Sequence, residues 1–386
     1  MQNKFYIMDY ISRKRGIPQF HDTGDTMKKI ILTGGGTAGH VIPNLALLPA
    51  LKDAGFEVSY IGSRDGIERG LVEAAGLPYH GISSGKLRRY FDVKNFTDIF
   101  RVAKGLSDSV KIIKKIKPDI IFSKGGFVVV PVITAARLCG VKSIIHESDI
   151  TPGLANRLAM PFASKICVSF PETLGFLPQN KTVLTGTPIR RTLANGDRLY
   201  GLKLVGFEPG GKPVLLVTGG SQGAAAINAC VREALPSLLE KFRVIHLCGK
   251  GHLSGINSPG YVEFEYLTDT MPDILAAAEI VISRAGANTI FEMLALKKPN
   301  LLIPLPKGKS RGDQIQNAES FEKQGFSVVL HEEKMNPQKL FSEVLNLYNS
   351  RESYKKTMQS HQLTDGVAGV LNVILDTANN IPHNQG

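Results

Sequence analysis

The chain of 386 residues is too long for one ordinary hydrophobic core, so two domains are expected. A hydrophobic fraction of 43% is that of a globular protein, and a formal net charge of +12 points to an anionic partner: nucleic acid, an acidic lipid surface or a phosphorylated substrate. Cys139, Cys167, Cys230 and Cys248 are scattered without a Cys-x-x-Cys pair, which argues against a disulfide framework or a zinc site, and no run approaches the ~20 apolar residues of a membrane span.

Residues 1–26 mix Lys4, Arg13, Lys14 and Arg15 with polar and aromatic residues without a period. They lack an apolar signal core and are expected to form a poorly ordered extension, with Met27 as an alternative start. A reducing cytoplasm fits the cysteine usage.

From residue 27 onward, apolar strand-like runs alternate with longer amphipathic stretches, the signature of a doubly wound parallel α/β sheet. Lys29–Leu32 is the first such run, and the glycines of Thr33-Gly34-Gly35-Gly36-Thr37-Ala38-Gly39-His40 turn it into a helix. That turn reads either as an ordinary strand-to-helix connection or as an anion cradle, since glycine lets backbone approach a ligand and helix-start N–H groups favour negative charge. His40 at its lip is placed for acid–base chemistry.

Strands are expected at Glu57–Ile61, Asp119–Ser123, Lys142–His146, Lys165–Ser169 and Thr182–Gly186, completing a Rossmann-like domain over residues 27–188. Thr187-Pro188-Ile189-Arg190-Arg191 and the polar stretch through Gly211 then read as a connector. A second domain over 189–376 repeats the pattern. Pro213–Thr218 leads into the glycine turn Gly219-Gly220-Ser221-Gln222-Gly223-Ala224, with strands expected at Arg243–Leu247, Glu279–Ser283, Pro299–Ile303 and Phe326–Leu330. Helices are expected from residue 336, and a frayed tail over 377–386.

Gly34-x-Gly36-x-x-Gly39 satisfies the dinucleotide spacing, but the second strand ends Tyr60-Ile61-Gly62-Ser63, without the acid that would hold a ribose; Asp65 lies beyond. Gly308-Lys309-Ser310 lacks the glycine of a nucleotide-triphosphate loop, that position being Ile303. His146-Glu147 lacks a second histidine four residues on, where Ile150 stands.

A denser group of ligand-type residues follows in the second half. Ser283-Arg284-Ala285-Gly286-Ala287-Asn288-Thr289 runs from a strand into a helix, so the amides of Ala287–Thr289 suit a diphosphate. Glu292, one turn inside, suits a pair of ribose hydroxyls, or else simply complements the helix dipole. The amide-rich loop around Gln314, Gln316 and Asn317 offers the paired donors and acceptors that sugar hydroxyls need.

Lys86-Leu87-Arg88-Arg89-Tyr90-Phe91 interleaves cations with apolar side chains, which suits an anionic membrane surface. Lys111, Lys114, Lys115 and Lys117 around Ile112, Ile113 and Ile116 repeat the theme, or form a solvated helix face. No nucleic-acid motif accompanies the charge and tryptophan is absent, so nucleic acid is not an expected partner.

In order and spacing, Gly35–His40, Gly125-Gly126-Phe127, His146-Glu147-Ser148-Asp149, Gly219–Ala224, Arg284–Ala287 and Asp313-Gln314-x-x-Asn317-Ala318 resemble the MurG family. These are the peripheral membrane N-acetylglucosaminyltransferases of bacterial peptidoglycan synthesis, and the resemblance spans residues 27–375. It implies a GT-B fold, two Rossmann-like domains facing an interdomain cleft. It also implies transfer, with inversion, of N-acetylglucosamine from UDP-N-acetylglucosamine to undecaprenyl-diphospho-N-acetylmuramoyl-pentapeptide (lipid I), giving lipid II at the cytoplasmic side of the cell membrane. A related GT-B enzyme acting on another lipid, or a sugar-nucleotide epimerase, is the alternative.

By position, the resemblance puts donor contacts on Thr37, Ala38, Gly39, Arg190, Ser221, Leu267, Ala287, Asn288, Thr289, Glu292 and Gln314. His40 is the expected base, with Glu147 as runner-up or its supporting carboxylate. No Asp-x-Asp motif is evident, so no metal or other cofactor is expected. The sequence departs from the family pattern at Ala38, Phe127, Asp149 and Asp313, where Gly, Tyr, Asn, and Gln or His are usual. The first turn then reads as the acceptor side of the cleft, with His40 where the two substrates meet.

Overall fold

The computed structural model describes residues 27–85, 94–220, 223–308, 310–361 and 365–379, the side chains of 94–99 excepted. The expected extension (1–26), the heart of the basic–aromatic stretch (86–93), Ser221, and residues 380–386 of the expected tail lie outside the described residues.

The first half runs β1 (Lys28–Thr33), α1 (Ala38–Asp53), β2 (Phe56–Ser63), α2 (Glu68–Ala74), β3 (Tyr79–Ile82), α3 (Lys94–Ile116), β4 (Ile120–Ser123), α4 (Val129–Leu138), β5 (Lys142–Glu147), α5 (Leu154–Ala159), β6 (Lys165–Val168) and β7 (Thr182–Leu184). Its strands form a parallel sheet ordered β3-β2-β1-β4-β5-β6-β7. Both faces are covered, which is why the strands are continuous apolar runs. Ile30 and Leu32 of β1 pack with Leu47 and Leu51 of α1, while Ile31 between them packs with Val129, Val132 and Ile133 of α4 on the other face.

The second half comprises α6 (Arg198–Leu204), β8 (Val214–Thr218), α7 (Ala225–Lys241), β9 (Arg243–Leu247), β10 (Tyr261–Phe264), α8 (Met271–Ala277), β11 (Ile280–Ser283), α9 (Ala287–Ala295), β12 (Asn300–Leu302), α10 (Asp313–Lys323), β13 (Ser327–Val329), α11 (Pro337–Asn349), α12 (Arg351–Ser360) and α13 (Gly366–Asn379). Its parallel sheet is ordered β10-β9-β8-β11-β12-β13. The expected strands are all present. The two that sequence reading passed over, β3 and β10, are four-residue edge strands whose runs are interrupted by His80 and Gly81 or by Glu263.

Helix α13 departs from the expected grouping of the C-terminal helices with the second domain. Val367, Val370 and Ile374 lie on one helical face and join the core formed by Ile30, Leu47 and Tyr60, so the end of the chain closes the first domain. Thr377–Asn379, expected in the frayed tail, complete this helix. Gly366 sits where the chain crosses between domains: a β-carbon there would lie 2.1 Å from the Thr187 carbonyl oxygen. Both domain crossings therefore stack at one point, with Arg191 paired to Asp365 at 3.1 Å beside them.

The domains meet along an apolar seam. Ile150 and Phe170 of the first pack with Ala285, Ile290, Phe291 and Phe321 of the second, Phe170 lying edge-on to Phe291 at 5.0 Å between ring centres.

Candidate active site

In each sheet the strand order reverses between the first strand and its neighbour, β1 beside β4 and β8 beside β11. The helices that follow such a pair diverge to opposite faces, leaving a crevice at the strands' C-terminal ends. The glycine turns after β1 and β4 line a cavity of about 270 Å³ in the first domain, together with Glu147, Ser148, Asp149, Asn156 and Arg311.

Close backbone approach builds this cavity. Gly35 N donates to the Gly125 carbonyl at 3.3 Å, joining the two turns. Gly126, at φ +88°, lies so near Gly35 that a β-carbon would stand 2.1 Å from its carbonyl oxygen. Beneath them, buried Glu68 accepts from Gly36 N at 3.2 Å and from Ser63 N at 2.8 Å, holding the first turn from below.

His40 occupies the first turn of α1. Its Nδ1–H faces the Gly35 carbonyl at 3.0 Å and the Thr37 hydroxyl at 3.2 Å, which leaves Nε2 as the proton acceptor. Burial holds its pKa below the ordinary histidine value; the Gly35 bond works against that shift, and the positive charge of Lys124 adds to it. A neutral imidazole with Nε2 toward the Gly125 turn has the protonation a general base needs.

Lys124, which sequence reading missed, stands at the end of β4 with 1% of its surface exposed. Its Nζ donates to His146 Nδ1 at 2.8 Å and Ser148 Oγ at 2.7 Å, and His146 in turn donates from Nε2 to the Gly186 carbonyl at 2.9 Å. Burial pulls Lys124 down to about 7, against the attraction of Glu147 and Asp149. Burial, reinforced by Lys124, keeps His146 well below its ordinary value.

Glu147 lines the same cavity, but its oxygens are already engaged. Oε1 accepts from Ser148 N and Asp149 N at 2.9 and 3.1 Å, and Oε2 from Gly153 N and Asn156 Nδ2, both at 2.9 Å. That geometry shapes the β5–α5 loop and makes Glu147 a positioning carboxylate rather than a free base. Asp149, next along, faces the other domain, with Oδ2 3.1 Å from Arg311 Nη2 and Oδ1 accepting from Asn317 Nδ2 at 3.0 Å. Burial, with Glu147 and Asp313 nearby, pushes its carboxyl up to about 6 despite these partners.

On the second domain, Gly286 caps α9 in an extended conformation, and Ala287, Asn288 and Thr289 form its first turn. Asn288 Nδ2 donates across the cleft to the Gly39 carbonyl at 2.8 Å, while its Oδ1 is buried without a partner among the described residues. Glu292 lies 3.8 Å from Arg190 Nη2, and burial pushes its carboxyl up to about 7 against the pull of that arginine. Gln314 opens α10 and accepts from Leu305 N at 3.0 Å. Leu267 packs half-buried with Phe264 and Met271 beyond β10.

The structure thus brings Gly39, in the turn that carries Thr37, Ala38 and His40, against Asn288 across the cleft, and Arg190 against Glu292. Lys124, Arg311 and Glu68 were missed as site residues because each lies in an unremarkable local context and gains meaning only from distant partners.

Two doubly wound sheets with facing switch points define a GT-B glycosyltransferase fold. Residues 30–168 match the glycosyltransferase family 28 N-terminal domain, and residues 214–371 the glycosyltransferase family 28 C-terminal domain. A relative from Clostridium botulinum (strain 657 / Type Ba4), named UDP-N-acetylglucosamine--N-acetylmuramyl-(pentapeptide) pyrophosphoryl-undecaprenol N-acetylglucosamine transferase, is 56% identical over 350 residues, covering 90% of this chain and 99% of its own. A relative of the same name from Lachnospira eligens is 57% identical over 354 residues, 91% of this chain and all of its own. The crystal structure of Acinetobacter baumannii MurG shares the fold, with a TM-score of 0.70 at 24% identity over 90% of this chain and 99% of that one. The chain belongs to glycosyltransferase family 28 and, within it, to the MurG family of N-acetylglucosamine transferases.

Proposed function

We propose that the protein is the hexosyltransferase that moves N-acetylglucosamine from UDP-N-acetylglucosamine to undecaprenyl-diphospho-N-acetylmuramoyl-pentapeptide, forming lipid II for peptidoglycan. The Asn288–Gly39 bond carries this reading, because it sets the donor-type helix of one domain against the turn that bears His40 in the other. His40 Nε2 takes the proton from the attacking 4-hydroxyl; that oxygen bonds to C1 of the donor sugar as the C1–O bond to UDP breaks, inverting C1. The α9 amides of Ala287–Thr289, with Arg190, meet the negative charge developing on the leaving diphosphate. Glu292 holds the ribose hydroxyls, Gln314 the sugar hydroxyls, and Leu267 the uracil side.

Among the described residues no helix is long and apolar enough to cross a membrane. The basic–aromatic stretch beginning at Lys86 supplies a peripheral contact with the anionic cytoplasmic leaflet.

The test is incubation of the purified protein with radiolabelled UDP-N-acetylglucosamine and lipid I in mixed micelles. Label moves to the lipid with release of UDP. Formation of an epimeric sugar nucleotide without lipid, or transfer only to a different lipid, overturns the assignment.

A further inference from the structure

The first-domain cavity is lined, among the described residues, by two permanently or readily cationic side chains, Lys124 and Arg311. Lys124 is committed to His146 and Ser148 at 2.8 and 2.7 Å. Arg311 differs in two respects. It belongs to the second domain, in the loop leading to α10, and among the described residues its guanidinium is held by two carboxylates, Asp149 Oδ2 at 3.1 Å and Asp313 Oδ2 at 3.6 Å. The glycine at 153 gives it room, since a β-carbon there would lie 3.3 Å from Arg311 Nη1.

We propose that Arg311 reaches across the cleft to bind the diphosphate of the lipid acceptor, and that Asp149 holds its guanidinium in place until that anion arrives. This rests on the acceptor reading given above. Asp149 engages the guanidinium through Nη2 at 3.1 Å, whereas a planar guanidinium can pair bidentately with phosphate, so the diphosphate is the better partner for the same fork. Asp149 keeps its second partner, Asn317 Nδ2 at 3.0 Å, when Arg311 leaves it. Gln314, three residues after Arg311, is assigned to the donor sugar, so one short loop serves both substrates and aligns them. The acidic residue at 149, where the family usually has Asn, becomes an internal stand-in for the substrate's phosphate. Its negative charge opposes the incoming diphosphate, so removing it favours acceptor binding.

Initial rates with lipid I as the varied substrate test this in Arg311→Ala and Asp149→Asn, alongside UDP affinity by calorimetry and thermal stability. Arg311→Ala is expected to raise the acceptor KM by about tenfold or more while UDP affinity and melting temperature stay near wild type. Asp149→Asn, which keeps an oxygen for Asn317, is expected to lower the acceptor KM. An acceptor KM that Arg311→Ala leaves within about twofold of wild type, or a parallel loss of UDP affinity, overturns the assignment. An unchanged or raised KM in Asp149→Asn overturns the exchange. Absence of transfer by the wild-type protein instead removes the function itself, and this inference with it.

Discussion

Asn288 and His40 belong to different domains, yet Asn288 donates to the carbonyl of Gly39, the residue immediately before His40 in the chain. The first turn of α9, suited to the leaving diphosphate, is therefore joined by one hydrogen bond to the turn that holds the proposed base. A displacement of one domain relative to the other moves the base relative to the donor, which makes the interdomain geometry a determinant of rate.

His40→Ala removes the proposed general base without touching the α9 end of the cleft. We expect kcat to fall roughly 10²- to 10⁴-fold while UDP affinity is retained. In the wild type, kcat/KM for the acceptor falls as His40 becomes protonated on the acid side, below the ordinary histidine value because burial lowers its pKa. Transfer by His40→Ala at a near wild-type rate would dismiss the histidine as base.

Glu292 gives a donor-side test. Glu292→Ala is expected to weaken UDP binding by roughly tenfold or more. Its folded pKa of about 7 lies above the ordinary 4.5, so its contribution to stability is fully present below 4.5 and is lost as pH rises through about 7. Glu292→Gln should therefore gain stability relative to wild type across that window, on the order of 1–3 kcal/mol. Equal pH profiles of melting temperature for the two proteins would contradict the buried, perturbed carboxyl.

Lys124 shifts in the opposite sense. Its folded pKa of about 7 lies below the ordinary 10.5, so the unfolded chain takes up the proton first as pH falls, and the fold loses stability from about 10.5 down to about 7. The melting temperature of Lys124→Met minus that of wild type should increase across this interval and level off below it. A difference that does not change with pH would show that the ammonium is not desolvated in the fold.

Gly126→Ala is predicted to be disproportionately damaging for a single methyl group. The residue needs a positive φ, and the β-carbon collides with the Gly35 carbonyl, so the two glycine turns must part. A loss of about 2 kcal/mol or more in chemical unfolding, with acceptor KM raised, is expected; wild-type stability would mean that the turns can separate freely.

The local signals were legible because they repeat along the chain. Apolar runs alternating with amphipathic stretches placed every strand but β3 and β10, and the turn after Leu32 stood out by its glycines and by His40. Two of the four edge strands, β3 and β10, were not legible, since their short runs are broken by His80 and Gly81 or by Glu263, whereas β7 and β13, shorter still, were read from the apolar residues around Val183 and Val328. The placement of α13 was hidden for a different reason: an amphipathic face declares that it will be buried, not which sheet will bury it.

The sequence by itself determined two doubly wound domains with a glycine turn heading each, and offered His40, Glu292 and Gln314 as the candidates now proposed for the chemistry, because glycine conformation and side-chain periodicity act within a few residues. Only the tertiary structure decided what Lys124, Asp149 and Arg311 are. Lys124 meets His146 22 positions away, and Asp149 meets Arg311 and Asn317 across 162 and 168. Desolvation and cross-domain pairing set their charge and their role, and both exist only once the chain has closed on itself.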